Sequence, residues 1–267
     1  MKSALYCAGL GDVIRVIYQT AAYRHLSETT EPMPVIVASH NPYALEIFRH
    51  HRNAKQFILI DLAHKYIEFL ESGLRGGDIE TEMCRFAGID PTSVVKGRAD
   101  GYVPQFDAPD DVDSEGHIIF QPFAGNAVYR TLPDELITQI TEVLRAQPYP
   151  VFLITRSYTR RGVKGTLIHT VEDARRFESG NIQVHEHLSV PACLNLIKKC
   201  RAYVGSWSSL QQAAWFENKP VAVFYPHDYT DVKNRTDYAF GLDRPDCLHC
   251  EYPDFSKDKL SAWLSKW

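Results

Sequence analysis

Gly205, Ser206, Ser208 and Ser209 stand together in YVGSWSSLQQAAWFENKPVAVFYP, residues 203–226. A glycine and three hydroxyls where a strand gives way to a helix can hold an anion. The free backbone N–H groups of the helix start, the hydroxyl donors and the positive end of the helix dipole all point at one place. Phosphate is the expected occupant. The same serines also make an ordinary helix cap, in which a side-chain oxygen accepts a backbone N–H. On this stretch alone both readings stand.

A second stretch lies at the other end, in ALYCAGLGDVIRVIYQTAAYRHL, residues 4–26. Gly9 and Gly11 bracket Leu10, which invites comparison with a dinucleotide-binding turn. That turn needs a third small residue where the helix passes the strand, and Ile14 occupies the place. Asp12, at the helix start, would repel a pyrophosphate. A carboxylate there gains from the helix dipole and stays ionised, which suits a general base or a plain N-terminal cap.

The elements that must carry these turns follow from the alternation of apolar runs with helical patterns. Strands are expected at Leu5–Ala8, Val35–Ser39 and Phe57–Asp61. Helices are expected at Val13–His25, Pro42–His51, His64–Ser72 and Ile79–Ala87. The run FDAPDDVDSEG, residues 106–116, has linker composition and no hydrophobic period. Beyond it strands are expected at Ile118–Gln121, Val151–Thr155, Ile182–His185, Ala202–Val204 and Val221–Phe224. Helices fall between them at Pro133–Ala146, Val171–Phe177, Pro191–Lys199 and Leu210–Glu217. Such alternation gives an α/β fold with right-handed crossovers and parallel sheets. The basic loop RSYTRRGVKG, residues 156–165, would lie at the ligand edge of the second sheet, as a phosphate clamp or a solvated loop.

Composition sets the outer bounds. The chain has 267 residues, 45% hydrophobic and 23% charged, enough for two cores of roughly 100–150 residues each. A net charge of −4 provides no global basic surface for a nucleic-acid backbone. No apolar run reaches the roughly 20 residues of a membrane span, and the first residues lack signal-peptide character, so a cytoplasmic protein is expected.

Six cysteines include CLHC at Cys247–Cys250, a C-x-x-C without a second ligand pair in the sequence. Reduced thiols are the expectation, and no metal site is assigned. His185 and His187 alternate on a strand edge and are read as surface or loop-entry residues. The run DDVD, Asp110–Asp113, reads as solvated linker.

Three segments in order resemble glycosyltransferase family 9, the heptosyltransferase-like enzymes. GLGDVI matches the family's glycine–Asp turn after the first strand. IIFQPFAGNAVYRTLPDELITQI, residues 118–140, is similar to its strand, loop, basic residue and Pro-started helix. VPACLNLIKKCRAYVGSWSSLQQAAWFENKPVAVFYP is similar to the helix, strand, turn and strand that shape its donor site. The resemblance implies a GT-B architecture: two Rossmann-like domains with parallel sheets and a cleft between them. Residues 1–108 would bind the acceptor, residues 117–250 the nucleotide-sugar donor, and residues 251–267 would form a helix returning toward the first domain.

The resemblance further implies inverting transfer without a cofactor or metal, the nucleotide-sugar being a co-substrate. Asp12 would act as base beside the acceptor-side turn of Gly9 and Gly11. Ser206, Ser208, Ser209, Asn126 and Arg130 would meet the donor, Arg130 standing where the family carries a Lys. The chain departs from the family at its donor turn. Trp207 and Gln211 replace the acidic residue and the His, so the donor sugar is expected to be read differently. The acceptor is left as a glycan or lipopolysaccharide precursor, a small molecule or a modified nucleobase. A non-catalytic nucleotide-sugar binder and an isomerase or hydrolase on the same scaffold are the alternatives.

Overall fold

The computed structural model describes residues 4–7, 11, 14, 17–18, 35–38, 46–47, 105–108, 110–123, 131–155, 174–226 and 244–267. The chain divides into two compact units. One comprises Met1–Asp111 with Ser189–Asn195, the other Val112–Leu188 with Leu196–Trp267. The break at Asp111 falls inside the expected linker, but residues 189–195 join the first unit, which a reading by continuous segments does not foresee.

In the first unit, β1 (Ala4–Cys7) and β2 (Val35–Ala38) pair in parallel, Ala4 opposite Val35. Gly11, Ile14, Ile17 and Tyr18 are helical, and the last three are buried. Their spacing of three and four residues turns one face of that helix inward. The expected strand Phe57–Asp61 and helices His64–Ser72 and Ile79–Ala87 lie outside the described residues.

The second unit is a six-stranded parallel sheet. Its strands are β3 (Ile118–Gln121), β4 (Val151–Thr155), β5 (Ile182–Glu186), β6 (Ala202–Ser206), β7 (Val221–Tyr225) and β8 (Cys247–Glu251). They lie in the order β5-β4-β3-β6-β7-β8, all neighbours parallel. Counted from β3 this is the 3-2-1-4-5-6 order of dinucleotide-binding folds. The order reverses between β3 and β6, and ligands of open α/β sheets bind at the carboxyl ends of the strands there. Gln121 ends β3 and Ser206 ends β6.

One face of the sheet carries Ile118, Phe120, Val151, Leu153, Val204, Ala222 and Phe224 into a core shared with α1 (Asp134–Arg145). Leu136, Ile140 and Leu144 line one side of α1 at intervals of four. Its last turn ends on Asn181, whose Nδ2 donates to the carbonyls of Leu144, Gln147 and Tyr149 at 3.1, 3.0 and 2.9 Å. The C-terminal α4 (Lys257–Leu264) starts at the cap Ser256 and buries Leu260, Trp263 and Leu264 in the same core. Trp263 Nε1 donates to the Asp246 carbonyl at 3.2 Å. The apolar stripe of this helix packs in the core of the second unit.

The other face buries Ile119, Phe152, Ile154, Tyr203, Val221 and Val223. Two further described helices connect strands of this sheet, α2 (Val190–Lys199) between β5 and β6 and α3 (Ser209–Phe216) between β6 and β7. Strand β8 was not expected. Its sequence, CLHCE, lacks the apolar run of a central strand, as an edge strand can. Residues three apart on a strand face opposite ways, so Cys250 enters the core while Cys247 does not, and burial pushes both thiols up to about 11. Neither they nor the buried Cys200 is in a disulfide.

Candidate functional site

Gly205 brings β6 unusually close to β3. A Cβ at this position would lie 2.3 Å from the Gln121 carbonyl oxygen, so no larger residue fits without moving a strand. The close approach sets the Gln121 side chain beside the turn that follows β6. Gln121 Oε1 accepts from the Tyr203 hydroxyl at 2.7 Å and from Ser208 Oγ at 2.8 Å. Gln121 Nε2 donates to the Phe123 carbonyl at 3.2 Å. Tyr203 and Ser208 oxygens are 3.0 Å apart. Tyr203 is fully buried, and burial pushes its phenol up, so it keeps its proton.

Ser208 is the N-cap of α3. Its oxygen accepts the Gln211 N–H at 3.2 Å, and its backbone is extended at φ −148°. Ser208-x-x-Gln211 is therefore the first half of a capping box. The second half is absent, since both ends of the Gln211 amide lack partners among the described residues. Ser206 Oγ is likewise buried without a partner among them. Each such group costs about 1–3 kcal/mol until something meets it, so the turn holds hydrogen-bonding capacity in reserve. Trp207 is buried and Ser209, the first residue of α3, half-buried.

At the start of α3 the Ser209 and Leu210 N–H groups have no acceptor among the described residues. No acidic residue stands in its first turn. Two other described helices that follow strands, α1 and α2, differ. At α2, Asp110 accepts from Ser189 N–H and Ser189 Oγ at 2.6 Å each, and Glu46 accepts from the Val190 N–H at 3.1 Å. At α1, the N-cap Pro133 makes no side-chain cap bond, and Asp134 and Glu135 stand in the first turn. Carboxylates thus stand in the first turn of α1 and bond the start of α2, whereas the positive end of α3 has no carboxylate beside it among the described residues.

The far end of α3 is clamped. Arg244 donates through Nη1 to the Trp215 carbonyl at 2.9 Å and through Nη2 to that of Lys219 at 3.3 Å, while its Nε holds Asp246 Oδ1 at 2.8 Å. A cation on the last carbonyls favours the helix dipole.

Of the residues the sequence singled out, Ser206, Trp207, Ser208, Ser209 and Gln211 come together at this turn. Ser208 serves as the cap, the more modest of the two readings, and its hydroxyl is already engaged. Gly11 is helical and half-buried. Gly9, Asp12, Asn126, Arg130 and the loop of residues 156–165 lie outside the described residues. His185 is half-buried with its ring 4.3 Å from that of Phe152, whereas His187 is exposed at φ 55°. In the DDVD run, Asp110 caps α2 and Asp113 is an exposed carboxylate 3.8 Å from Lys199 Nζ. No group of three metal-binding side chains occurs among the described residues. Gln121 and Tyr203 were missed. The signals were a glutamine closing an apolar strand at the ligand edge and a tyrosine inside a buried strand, whose hydroxyl must find a partner.

No protein-family profile matches the chain, and no curated protein sequence does. Solved structures do match. E. coli heptosyltransferase WaaC with ADP aligns over 99% of this chain and 96% of its own, with a TM-score of 0.60 and 9% identity. The chain shares its fold with heptosyltransferases. E. coli ADP-heptose lps heptosyltransferase II covers 100% of this chain and 98% of its own, with a TM-score of 0.61 and 11% identity. A glycosyl transferase family 9 protein from Veillonella parvula covers 99% and 97%, with a TM-score of 0.56 and 10% identity. No described helix is long and apolar enough to cross a membrane.

Proposed function

We propose that this protein is a glycosyltransferase that takes a sugar from a nucleotide-activated donor and passes it to an acceptor hydroxyl. The reading rests on one observation: the open N-terminus of α3 at the switch point of the parallel sheet. The fold supports it, because a solved protein of this fold holds ADP. The donor's diphosphate lies on the Ser209 and Leu210 N–H groups, with Ser209 Oγ beside them. Ser206 and Gln211 supply further donors and acceptors to the donor. Arg130 and Asn126, which follow β3 in the sequence, would complete the donor contacts, Arg130 as a bidentate partner for the leaving phosphate.

In this account the two units form a GT-B pair with the acceptor held by the first. Asp12 takes the proton of the acceptor hydroxyl as that oxygen attacks the anomeric carbon from the face opposite the phosphate. The bond from anomeric carbon to phosphate oxygen breaks, its electron pair leaves with the nucleoside diphosphate, and configuration inverts. Charge on the leaving group is met by Arg130 and the α3 dipole, so no metal is required. Trp207 stands where the family that the sequence resembles carries an acid, and its aromatic side chain favours a donor sugar recognised by packing as well as by hydrogen bonds.

The test is a thermal-shift screen against UDP, ADP, GDP, CMP and dTDP with their sugar conjugates, with and without magnesium. A selective rise for one nucleotide, independent of metal, supports the reading. No shift for any of them contradicts it. Asp12→Asn should abolish transfer with donor affinity nearly unchanged. Transfer that persists removes Asp12 from its role, and binding indifferent to Asp12 with no transfer by the wild type points to a binding protein.

A further inference from the structure

We infer that Gln121, with Tyr203, is the positioning device of the anion site, setting the direction of the first turn of α3 through Ser208. The inference rests on the site reading above and adds residues that touch no ligand.

Hydrogen-bond bookkeeping admits a consistent arrangement. The Tyr203 hydroxyl has one proton, and its shortest contact is Gln121 Oε1 at 2.7 Å, against 3.3 Å to the Ser206 carbonyl. The Ser208 proton goes to Gln121 Oε1 at 2.8 Å or to the Tyr203 oxygen at 3.0 Å. Ser208 Oγ keeps a lone pair for the Gln211 N–H. Gln121 Nε2 meets the Phe123 carbonyl, which fixes which end of the amide faces Ser208. The Ser208 rotamer is thus held from two sides, and with it the peptide planes that aim the Ser209 and Leu210 N–H groups. An N-cap needs only its own serine oxygen. A buried tyrosine and an amide spent on orienting that serine exceed what capping asks.

The same network ties together the two chain exits that flank the switch point. Gln121 and Phe123 begin the exit from β3, and Ser208 ends the exit from β6. Gly205 permits the tie, since any Cβ there would strike the Gln121 carbonyl. Neutral groups make the whole relay, so it orients the anion site without placing a negative charge beside it.

The experiment is a double-mutant cycle read by calorimetric titration. Its probe is whichever of ADP, UDP, GDP, CDP and dTDP binds the wild type most tightly. Gln121→Met keeps the side-chain length and removes both acceptor and donor. It should weaken binding about tenfold, the scale of one well-placed hydrogen bond. Ser208→Ala should do the same, and Gln121→Met added to Ser208→Ala should change affinity less than about twofold, because the two act in series. Tyr203→Phe, which leaves the bond between Gln121 and Ser208 intact and keeps the fold, should give a smaller loss of about threefold. Ser208→Thr, which keeps the hydroxyl, should restore wild-type affinity. Additive losses, or unchanged affinity in Gln121→Met and Tyr203→Phe while the wild type binds, would overturn the relay alone. A wild type that binds none of the five would overturn the site reading and the relay with it.

Discussion

Gly205→Ala adds one methyl group at the tightest point of the second unit. The new Cβ would stand 2.3 Å from the Gln121 oxygen, 2.9 Å from its carbonyl carbon and 3.1 Å from its nitrogen. Contacts below 3.0 Å do not persist, so β3 and β6 must part by about 0.7 Å or more where Gln121 pairs with Gly205. Both sides are backbone in the middle of a sheet, and neither can swing away. Overpacking of this kind costs about 1–3 kcal/mol, and one weakened ladder bond adds about 1 kcal/mol. A total near 3 kcal/mol lowers the melting temperature of a unit this size by about 6–12 °C. Calorimetry or circular dichroism melts would show it. Gly116→Ala is the control, because Gly116 has φ +70° and nothing within 4 Å of a Cβ. It carries only the left-handed backbone term of about 1–2 kcal/mol. A Gly205→Ala protein that melts within about 2 °C of the wild type, less than 1 kcal/mol on that scale, would refute the close approach.

Two further perturbations probe the same unit. His117 is buried, with its ring stacked on Phe152 at 4.5 Å, and burial lowers it to about 4 from 6.5. His185, Lys219 and Lys199 push the same way while the Leu196 backbone opposes. The unfolded chain therefore takes up a proton that the folded one refuses. Stability is full above pH 6.5 and is lost as pH falls from 6.5 toward 4, by about 3 kcal/mol at 1.4 kcal/mol per unit. Urea melts across that range should show the loss, and His117→Phe should flatten it; an unaltered slope would place the proton elsewhere. Asn181→Ala should cost about 2 kcal/mol, because it strips the side-chain donor from a carbonyl in the last turn of α1 and from two in the segment that follows it. A change below about 0.5 kcal/mol, the range of an ordinary surface substitution, would show that water replaces it freely.

Much of the fold was legible because a fully buried parallel strand needs an unbroken apolar run. Ile118–Gln121 and Val151–Thr155 were read to the residue, and β5, β6 and β7 each fell one or two residues short at a polar or aromatic end. Strand β8 escaped because an edge strand with one covered face tolerates Cys, His and Glu, and because C-x-x-C suggests other chemistry. The packing of α4 on this core was not legible because an amphipathic stripe states that a face is buried and not what buries it. At the site, the glycine and serines announced the turn and its helix. What they could not announce was that Ser208 spends its hydroxyl on the cap, or that Gln121, 87 positions earlier, would hold it. Contacts across strands paired out of sequence order leave no local pattern.

The most direct test of the central claim is the affinity of Ser209→Asp for nucleoside diphosphates, measured by titration beside its melting temperature. The substitution gives α3 the carboxylate that Asp110 and Glu46 already give α2. Helix-dipole stabilisation of about 0.3–1 kcal/mol should leave the fold as stable as before or slightly more so. The nucleoside diphosphate should then bind more than about tenfold more weakly, since a like charge meets it at the start of α3. A folded Ser209→Asp protein that binds nucleoside diphosphate as the wild type does would contradict the account.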